Sequence, residues 1–307
     1  MTCSTTCEAV KYLSNAIRKC MRGNGDQNRE KWYHWDMRIA TSTNLVSFRP
    51  DGGKTPMVDL FPIYAEAGCT LLDLNWCEMM NPKSELSGED WLPYAERILH
   101  AKGKHHLVFN QSHAPYARHI GDHSYDTLML RCFDLDVMLD VPLIVIHPLA
   151  SGHDPIEDNI SFLAPFVEKA EQTGVRIALE NLEGPGEIQR AEDLLELVRR
   201  LDSQQVGVCL DTGHAWMRGL NPAHEIRTCG KKLWATHIDD NHGSADEHLL
   251  PFHGTIDWKS VVSSLEEIGY QGDLTFECMK ENARLPAALR KAAVSYALAV
   301  GNSLLEI

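Results

Sequence analysis

Four residues of a type that binds metal ions stand where short apolar runs of the chain end. They are Glu180, Asp211, His237 and Glu277. A carboxylate or an imidazole at the end of a buried strand is costly to bury unless another group pairs it. Three carboxylates and one imidazole suit a hard or borderline divalent ion, and no thiolate accompanies them to indicate a structural zinc site. We therefore expect one bound divalent ion, with Mn²⁺ ahead of Co²⁺, Mg²⁺ and Zn²⁺.

Each of these residues also has a plain structural interpretation. An Asp at a strand end can cap the helix that follows it. A single buried His is more often hydrogen-bonded to its neighbours than bound to a metal ion. The repetition of ligand-type residues at four equivalent positions favours the metal site over four separate structural roles.

From Met37 onward, short apolar runs alternate with amphipathic segments, as expected for a parallel sheet that is covered on both faces. The predicted strands are 38–43, 71–76, 107–113, 143–147, 177–180, 206–210, 233–238 and 274–278. The predicted helices are 57–67, 91–101, 124–139, 160–172, 191–201, 222–228, 257–268 and 286–305. We expect Gly68, Gly103 and Gly174 to end three helices and Asp257 to cap one.

Eight strands that alternate with eight helices indicate an α/β protein, a single (β/α)₈ TIM barrel over residues 37–307. The rival architecture is an open doubly wound sheet, which the lack of a Gly-rich phosphate loop after the first strand disfavours. In a barrel the carboxyl ends of all strands converge on one face, where active sites lie. Further polar residues fall at this predicted rim: His113, His147, Glu183, His214, Asp246 and His248. They could line a pocket, bind extra metal ions or simply form structural hydrogen bonds.

Composition places the chain among ordinary globular proteins. It has 307 residues, of which 44% are hydrophobic and 23% charged. Residues 1–36 break the strand-helix pattern and are predicted to be an N-terminal extension without the features of a signal peptide. No apolar run approaches the roughly 20 residues of a membrane span, and the nine scattered cysteines are typical of reduced thiols. We therefore expect a cytoplasmic protein without a membrane partner.

Four segments resemble the xylose isomerase-like TIM barrel superfamily over about residues 37–305. They are Leu179-Glu180-Asn181, Leu210-Asp-Thr-Gly-His214, His237-Ile-Asp-Asp240 and Phe276-Glu277, and Asp246-Glu-His-Leu-Leu-Pro251 adds to them. That superfamily contains sugar and sugar phosphate isomerases and epimerases and, more distantly, nucleases of the endonuclease IV type. The resemblance thus implies a metal-dependent isomerase or epimerase with a small carbohydrate substrate, and a homo-oligomer is compatible with it.

The resemblance also implies roles for individual residues. Glu180 and Glu277 resemble glutamates that bind the metal and exchange a proton at the carbon beside the substrate carbonyl, through an enediolate. Asp211 and His237 resemble the remaining metal ligands. In addition, the resemblance implies substrate contacts for a second set of residues: His113, His147, Glu183, His214, Asp246 and His248. Trp76 lies close to a strand end and is expected to stack on a sugar ring unless it packs in the core.

Two other activities stay open at this point. The four core residues together with His113, His147, His214, Asp246 and His248 resemble the trinuclear zinc set of the nuclease, which cuts abasic DNA. The net charge of −14 argues against a nucleic-acid partner, because proteins that bind nucleic acid are usually basic on the binding face. An inosose-type dehydratase would use the same enediolate chemistry. A non-catalytic sugar-binding barrel is disfavoured by the paired glutamates.

Overall fold

The computed structural model describes residues 37–151 and 153–307 of the chain. The predicted N-terminal extension, residues 1–36, lies outside the described residues. Within them, eight strands close into a barrel in the order of the sequence. Every neighbouring pair is parallel, including the pair of the first and last strands that closes the ring. The predicted (β/α)₈ barrel is therefore confirmed.

The strands are short and lie within one or two residues of their predicted bounds. They are β1 Ile39–Ser42, β2 Leu71–Asn75, β3 Val108–His113, β4 Leu143–Ile146, β5 Arg176–Glu180, β6 Val206–Asp211, β7 Leu233–Ile238 and β8 Leu274–Phe276. Seven of the eight have at most one residue that is not buried, as expected where helices cover the outer face of the sheet.

Nine α-helices surround the barrel within the described residues. They are α1 Met57–Glu66, α2 Leu92–Lys104, α3 Asp126–Leu139, α4 Pro155–Thr173, α5 Ala191–Leu201, α6 Thr212–Met217, α7 Pro222–Cys229, α8 Trp258–Ile268 and α9 Arg290–Leu304. Asp257 caps α8 by accepting a hydrogen bond from the Ser260 N–H, as predicted. The short helix α6, which begins directly after β6, was not predicted.

Three predicted helix bounds were wrong, and one of them is the start of α9, which lies at Arg290 and not at residue 286. Helix α2 continues through Gly103 to Lys104, and the chain leaves the helix only where His106 takes a positive φ of 54°. Helix α4 begins five residues before its predicted start, because Asp154 accepts hydrogen bonds from two backbone N–H groups of the first turn. Pro155 at the first helical position supports this start, since its fixed φ suits a helix and no N–H is lost.

Apolar side chains that fill the barrel interior share a face of their strand with the site residues. Side chains two positions apart on a strand point to the same face. Ala178 precedes Glu180 by two residues, and Ala235 precedes His237 by two. Both alanines belong to a buried cluster in the interior: Leu143, Val145, Ala178, Cys209 and Ala235. The strand period therefore carries the ligand-type residues inward, at the carboxyl end of the barrel.

Among the described residues, no helix combines the length and the apolar character that crossing a membrane requires.

Candidate metal centre

The structure brings the four predicted core ligands together. Glu180 and Asp211 are the last residues of β5 and β6, His237 lies near the end of β7, and Glu277 directly follows β8. One donor atom from each of the four lies within 4.8 Å of the donor atoms of the others. All four side chains are buried. Parallel strands of one closed barrel thus aim four donors at one point.

The distances within this group suit a shared cation. His237 Nδ1 lies 2.9 Å from Glu180 Oε1 and 3.3 Å from Glu277 Oε2. Asp211 Oδ2 is buried without a hydrogen-bond partner among the described residues. Buried carboxylate oxygens are normally paired, so this oxygen needs a partner. A divalent cation fits the donor set, since it would satisfy this oxygen and offset the charge of the carboxylates.

Asp211 also serves the structural role that a strand-end Asp can have. Its Oδ1 accepts the backbone N–H of His214 at 2.7 Å and so caps α6. The second oxygen, Oδ2, receives no hydrogen bond from any residue that the structure describes. The cap fixes the orientation of the carboxylate, and the structural and ligand roles are therefore compatible in one side chain.

Two histidines on neighbouring strands flank Glu180. His113 Nε2 lies 3.3 Å and His147 Nε2 lies 3.0 Å from Glu180 Oε2. The two ring nitrogens are 2.9 Å apart. His113, Glu180 and His237 also form a group with the spacing of metal ligands. The predicted rim histidines of β3 and β4 therefore belong to the same cluster as the core ligands.

A third group of ligand type lies nearer to the mouth of the barrel. It consists of His214, Asp246 and His248. His248 Nε2 lies 2.9 Å from Asp246 Oδ2, and His214 Nε2 lies 3.9 Å from Asp246 Oδ1. Glu183, which is one-third exposed, approaches His214 Nε2 to 3.4 Å. Asp246 and His248, which follow β7, thus converge with His214, which follows β6.

Buried charges set the protonation of these groups in the metal-free protein. Burial raises the pKa of Asp211 well above its ordinary value, and the neighbouring Asp239 adds to the effect. Burial acts against the charged form of His214 too, but the carboxylates of Asp211 and Glu180 outweigh it and raise the pKa of His214 to about 10. Protons on imidazoles therefore balance part of the carboxylate charge. Metal binding must displace protons of this kind.

A cavity of about 430 Å³ opens above the cluster. Its volume falls in the ordinary range for small-molecule sites. Seven of the predicted site residues line it: His113, His147, Glu183, His214, Asp246, His248 and Glu277. Glu180, Asp211 and His237 are among the fully buried residues beneath it. Of the two glutamates in the core group, Glu277 is thus the one that a molecule in the cavity can touch directly.

The structure does not bring Trp76 to this cavity, and its assignment as a stacking residue is corrected. Its side chain is fully buried, and its indole N–H donates to Asp136 Oδ1 at 2.9 Å. Trp76 opens a short 3₁₀-helix after β2, which turns the indole into the core. Tyr116 lies on the cavity wall instead, 39% exposed, with its ring stacked on His147 at 5.2 Å. Its position three residues after His113 was the only indication in the sequence.

Comparison with known proteins identifies the family to which this barrel belongs. A family model described as xylose isomerase-like TIM barrel matches residues 61–297. The uncharacterized protein y4fM of Sinorhizobium fredii is 29% identical over 275 residues, which cover 81% of this chain and 83% of that protein. The inosose isomerase of Bacillus subtilis is 28% identical over 154 residues, which cover 46% of this chain and 55% of that protein. The chain thus matches about half the length of the isomerase.

Solved structures show the same fold. The crystal structure of a D-tagatose 3-epimerase-like protein superimposes with a TM-score of 0.68 at 22% identity, covering 88% of this chain and 97% of that chain. The crystal structure of the IOLI protein, described with a bound zinc atom, gives a TM-score of 0.69 at 19% identity and covers 88% and 98%. At identities of 22% and 19%, these superpositions show that the fold is shared.

Proposed function

Because the chain belongs to the xylose isomerase-like TIM barrel family, we propose that it is a metal-dependent isomerase or epimerase of a sugar, a sugar phosphate or a related polyol ketone. One observation carries the proposal. Glu180 and Glu277 approach His237 Nδ1 from different strands, at 2.9 and 3.3 Å, beneath a cavity of small-molecule size. Two carboxylates placed around one point can remove a proton from a substrate carbon and return it elsewhere.

The two glutamates differ in their access to a substrate. Glu277 lines the cavity, whereas Glu180 lies beneath His113 and His147, within 3.3 Å of both. In this proposal Glu277 takes the proton from the carbon beside the carbonyl, which leaves an enediolate. Glu180 and its histidines hold the proton that returns to the other face or to the neighbouring carbon. A divalent ion held by the four core ligands would stabilise the negative charge as a Lewis acid.

The walls of the cavity suit a polyol. Imidazole nitrogens of His147 and His214 can donate to hydroxyl groups, and the carboxylates of Glu183 and Asp246 can accept from them. The names of the similar proteins, an inosose isomerase and a D-tagatose 3-epimerase-like protein, support a ketose or a cyclic polyol ketone as the substrate class. A dehydratase that acts on an inosose would use the same first proton transfer and is a variant of the proposal.

The test combines metal analysis with proton exchange. Purified protein should hold about one tightly bound divalent ion, and it should exchange a carbon-bound proton of D-fructose, D-tagatose or an inosose with deuterated water. Glu277→Asp should slow this exchange about 100-fold while metal remains, because a displacement of ~1 Å costs about that factor. The matched control is Glu266→Asp, since Glu266 is exposed on α8. Exchange at the wild-type rate in Glu277→Asp would refute the assignment.

A second candidate function is phosphodiester hydrolysis at abasic sites. The specific observation in its favour is that two further groups, His113–Glu180–His237 and His214–Asp246–His248, have the spacing of metal ligands beside the first group. Two basic side chains, Lys54 and Arg118, line the cavity, and the chain as a whole carries a charge of −14. Several phosphates would need more cations than this. We therefore rank hydrolysis second.

Stoichiometry and cleavage separate the two functions. The hydrolase should bind close to three zinc ions per chain and cut a duplex with one abasic site far faster than its Glu277→Gln variant. Its affinity for that duplex should fall steeply as salt is added. We expect one tight ion and negligible affinity for the duplex. Cleavage without proton exchange on any ketose of the panel would replace the isomerase proposal.

A further inference from the structure

A buried carboxylate lies behind the imidazole of His237, on the side away from the core ligands. Asp73, on β2, is fully buried, and its Oδ2 lies 3.8 Å from His237 Nε2. Neither Asp73 oxygen has a hydrogen-bond partner among the described residues. A buried, unpaired carboxylate is costly. A hydrogen-bond donor on His237 Nε2 would be its natural partner.

Gln111 approaches the same nitrogen. Its side-chain Nε2 lies 3.1 Å from His237 Nε2, and Thr275 donates to its Oε1 at 3.3 Å. An irregularity in the pairing of β2 and β3 creates this arrangement: Leu72 pairs with Phe109, but Asp73 pairs with Gln111. The extra residue in β3 aims Gln111 and Asp73 at the same face, since β-bulges redirect side chains in this way.

In the metal-free arrangement the amide of Gln111 donates to His237 Nε2. In a neutral ring the proton then lies on Nδ1, which faces Glu180 Oε1 at 2.9 Å. A cation bound among Glu180, Asp211, His237 and Glu277 needs the lone pair of Nδ1, because Nδ1 is the nitrogen that faces the carboxylates. In a neutral imidazole with a free Nδ1, the proton lies on Nε2.

We propose that Asp73 and Gln111 are a positioning pair that holds His237 with its proton on Nε2 and so keeps Nδ1 free for the cation. Asp73 accepts the Nε2–H after a small approach from 3.8 Å. Gln111 accepts it when its amide turns over, while the hydroxyl of Thr275 turns to accept from the amide instead of donating to it. A carboxylate behind a metal-binding histidine fixes the ring and makes it a stronger ligand.

The inference rests on the proposed metal site but not on any substrate, and its test uses the metal alone. Mn²⁺ affinity is measured by calorimetry for the wild type, Asp73→Asn and Asp73→Leu. We expect Asp73→Leu to weaken binding 10–100-fold, the range found for such outer partners, and Asp73→Asn to fall between, since it keeps one acceptor oxygen. Asp136→Asn is the matched control, because Asp136 is equally buried but contacts Trp76 and Ser112 instead.

A spectroscopic readout separates positioning from general loss of structure. In the zinc-loaded wild type labelled with nitrogen-15 in histidine, the proton of His237 should lie on Nε2. Its signal should shift in Asp73→Leu and stay unchanged in Asp136→Asn. Wild-type Mn²⁺ affinity in Asp73→Leu, or a proton on Nδ1 in the zinc-loaded protein, would overturn the inference and leave the proposed function intact. A wild type that binds no divalent ion would overturn both.

Discussion

The turn after β6 offers a direct test of how tightly the candidate metal centre is packed. Gly213 lies between Asp211 and His214 in the first turn of α6. A Cβ at this position would lie 1.7 Å from Asp239 Oδ1 and 2.8 Å from Asp239 Cγ. Asp239 is fully buried and lies against His248, 3.5 Å from its Nδ1. The carboxylate therefore cannot move aside without disturbing the third ligand group.

The expected cost of Gly213→Ala follows from this contact. The two atoms must separate by more than about 1 Å before the contact is an ordinary one. Overpacking of this kind costs typically 1–3 kcal/mol. For a chain of this size each kcal/mol lowers Tm by about 2–4 °C, so we expect a loss of roughly 2–12 °C. Because the displaced backbone at Gly213 lies between Asp211 and His214, Mn²⁺ affinity should also fall about 10–100-fold.

Calorimetric melting and metal titration measure the two effects. The control is Gly103→Ala, since a Cβ there meets nothing within 4 Å and Gly103 lies in helix α2. This control should raise stability by up to about 1 kcal/mol, because Ala is favoured over Gly inside a helix. Wild-type melting and wild-type metal affinity in Gly213→Ala would show that the packing argument is wrong.

Three further predictions follow from the site and from the ends of the fold. Asp211→Asn and Glu180→Gln should each lose most of the bound metal in elemental analysis, because each removes a ligand charge, and full retention in both would contradict the ligand assignment. The metal-free protein should become less stable as pH rises from about 6.5 toward 10, because the pKa of His214 in the folded protein is raised to about 10. The stability that its proton contributes is complete below the pKa of the unfolded chain and is lost as pH rises through the pKa of the folded protein. Thermal unfolding in a chelator checks this, and a Tm that increases over this range would contradict it. A shortened chain that starts at Met37 should fold and bind metal like the full chain, and insoluble protein without residues 1–36 would show that the barrel needs them.

The sequence determined the architecture because the strand and helix periods are local. Apolar runs of strand length, each followed by a helical pattern, require a parallel sheet covered on both faces. The predicted bounds of α5 and β7 coincide with the observed Ala191–Leu201 and Leu233–Ile238. The same rhythm placed Glu180, Asp211, His237 and Glu277 at strand ends. Once the barrel closes, convergence of these ends is unavoidable.

Only the tertiary structure decided which other side chains reach the site. Trp76 stands at a strand end as the ligands do, but its contact with Asp136, 60 residues away in sequence, holds it in the core. Asp73 was not singled out at all, because its proximity to His237 depends on the irregular pairing of β2 with β3 and on closure of the ring. Sequence periodicity shows to which face of its own strand a side chain points. The partner that it meets across a barrel depends on register and closure, which no local pattern encodes.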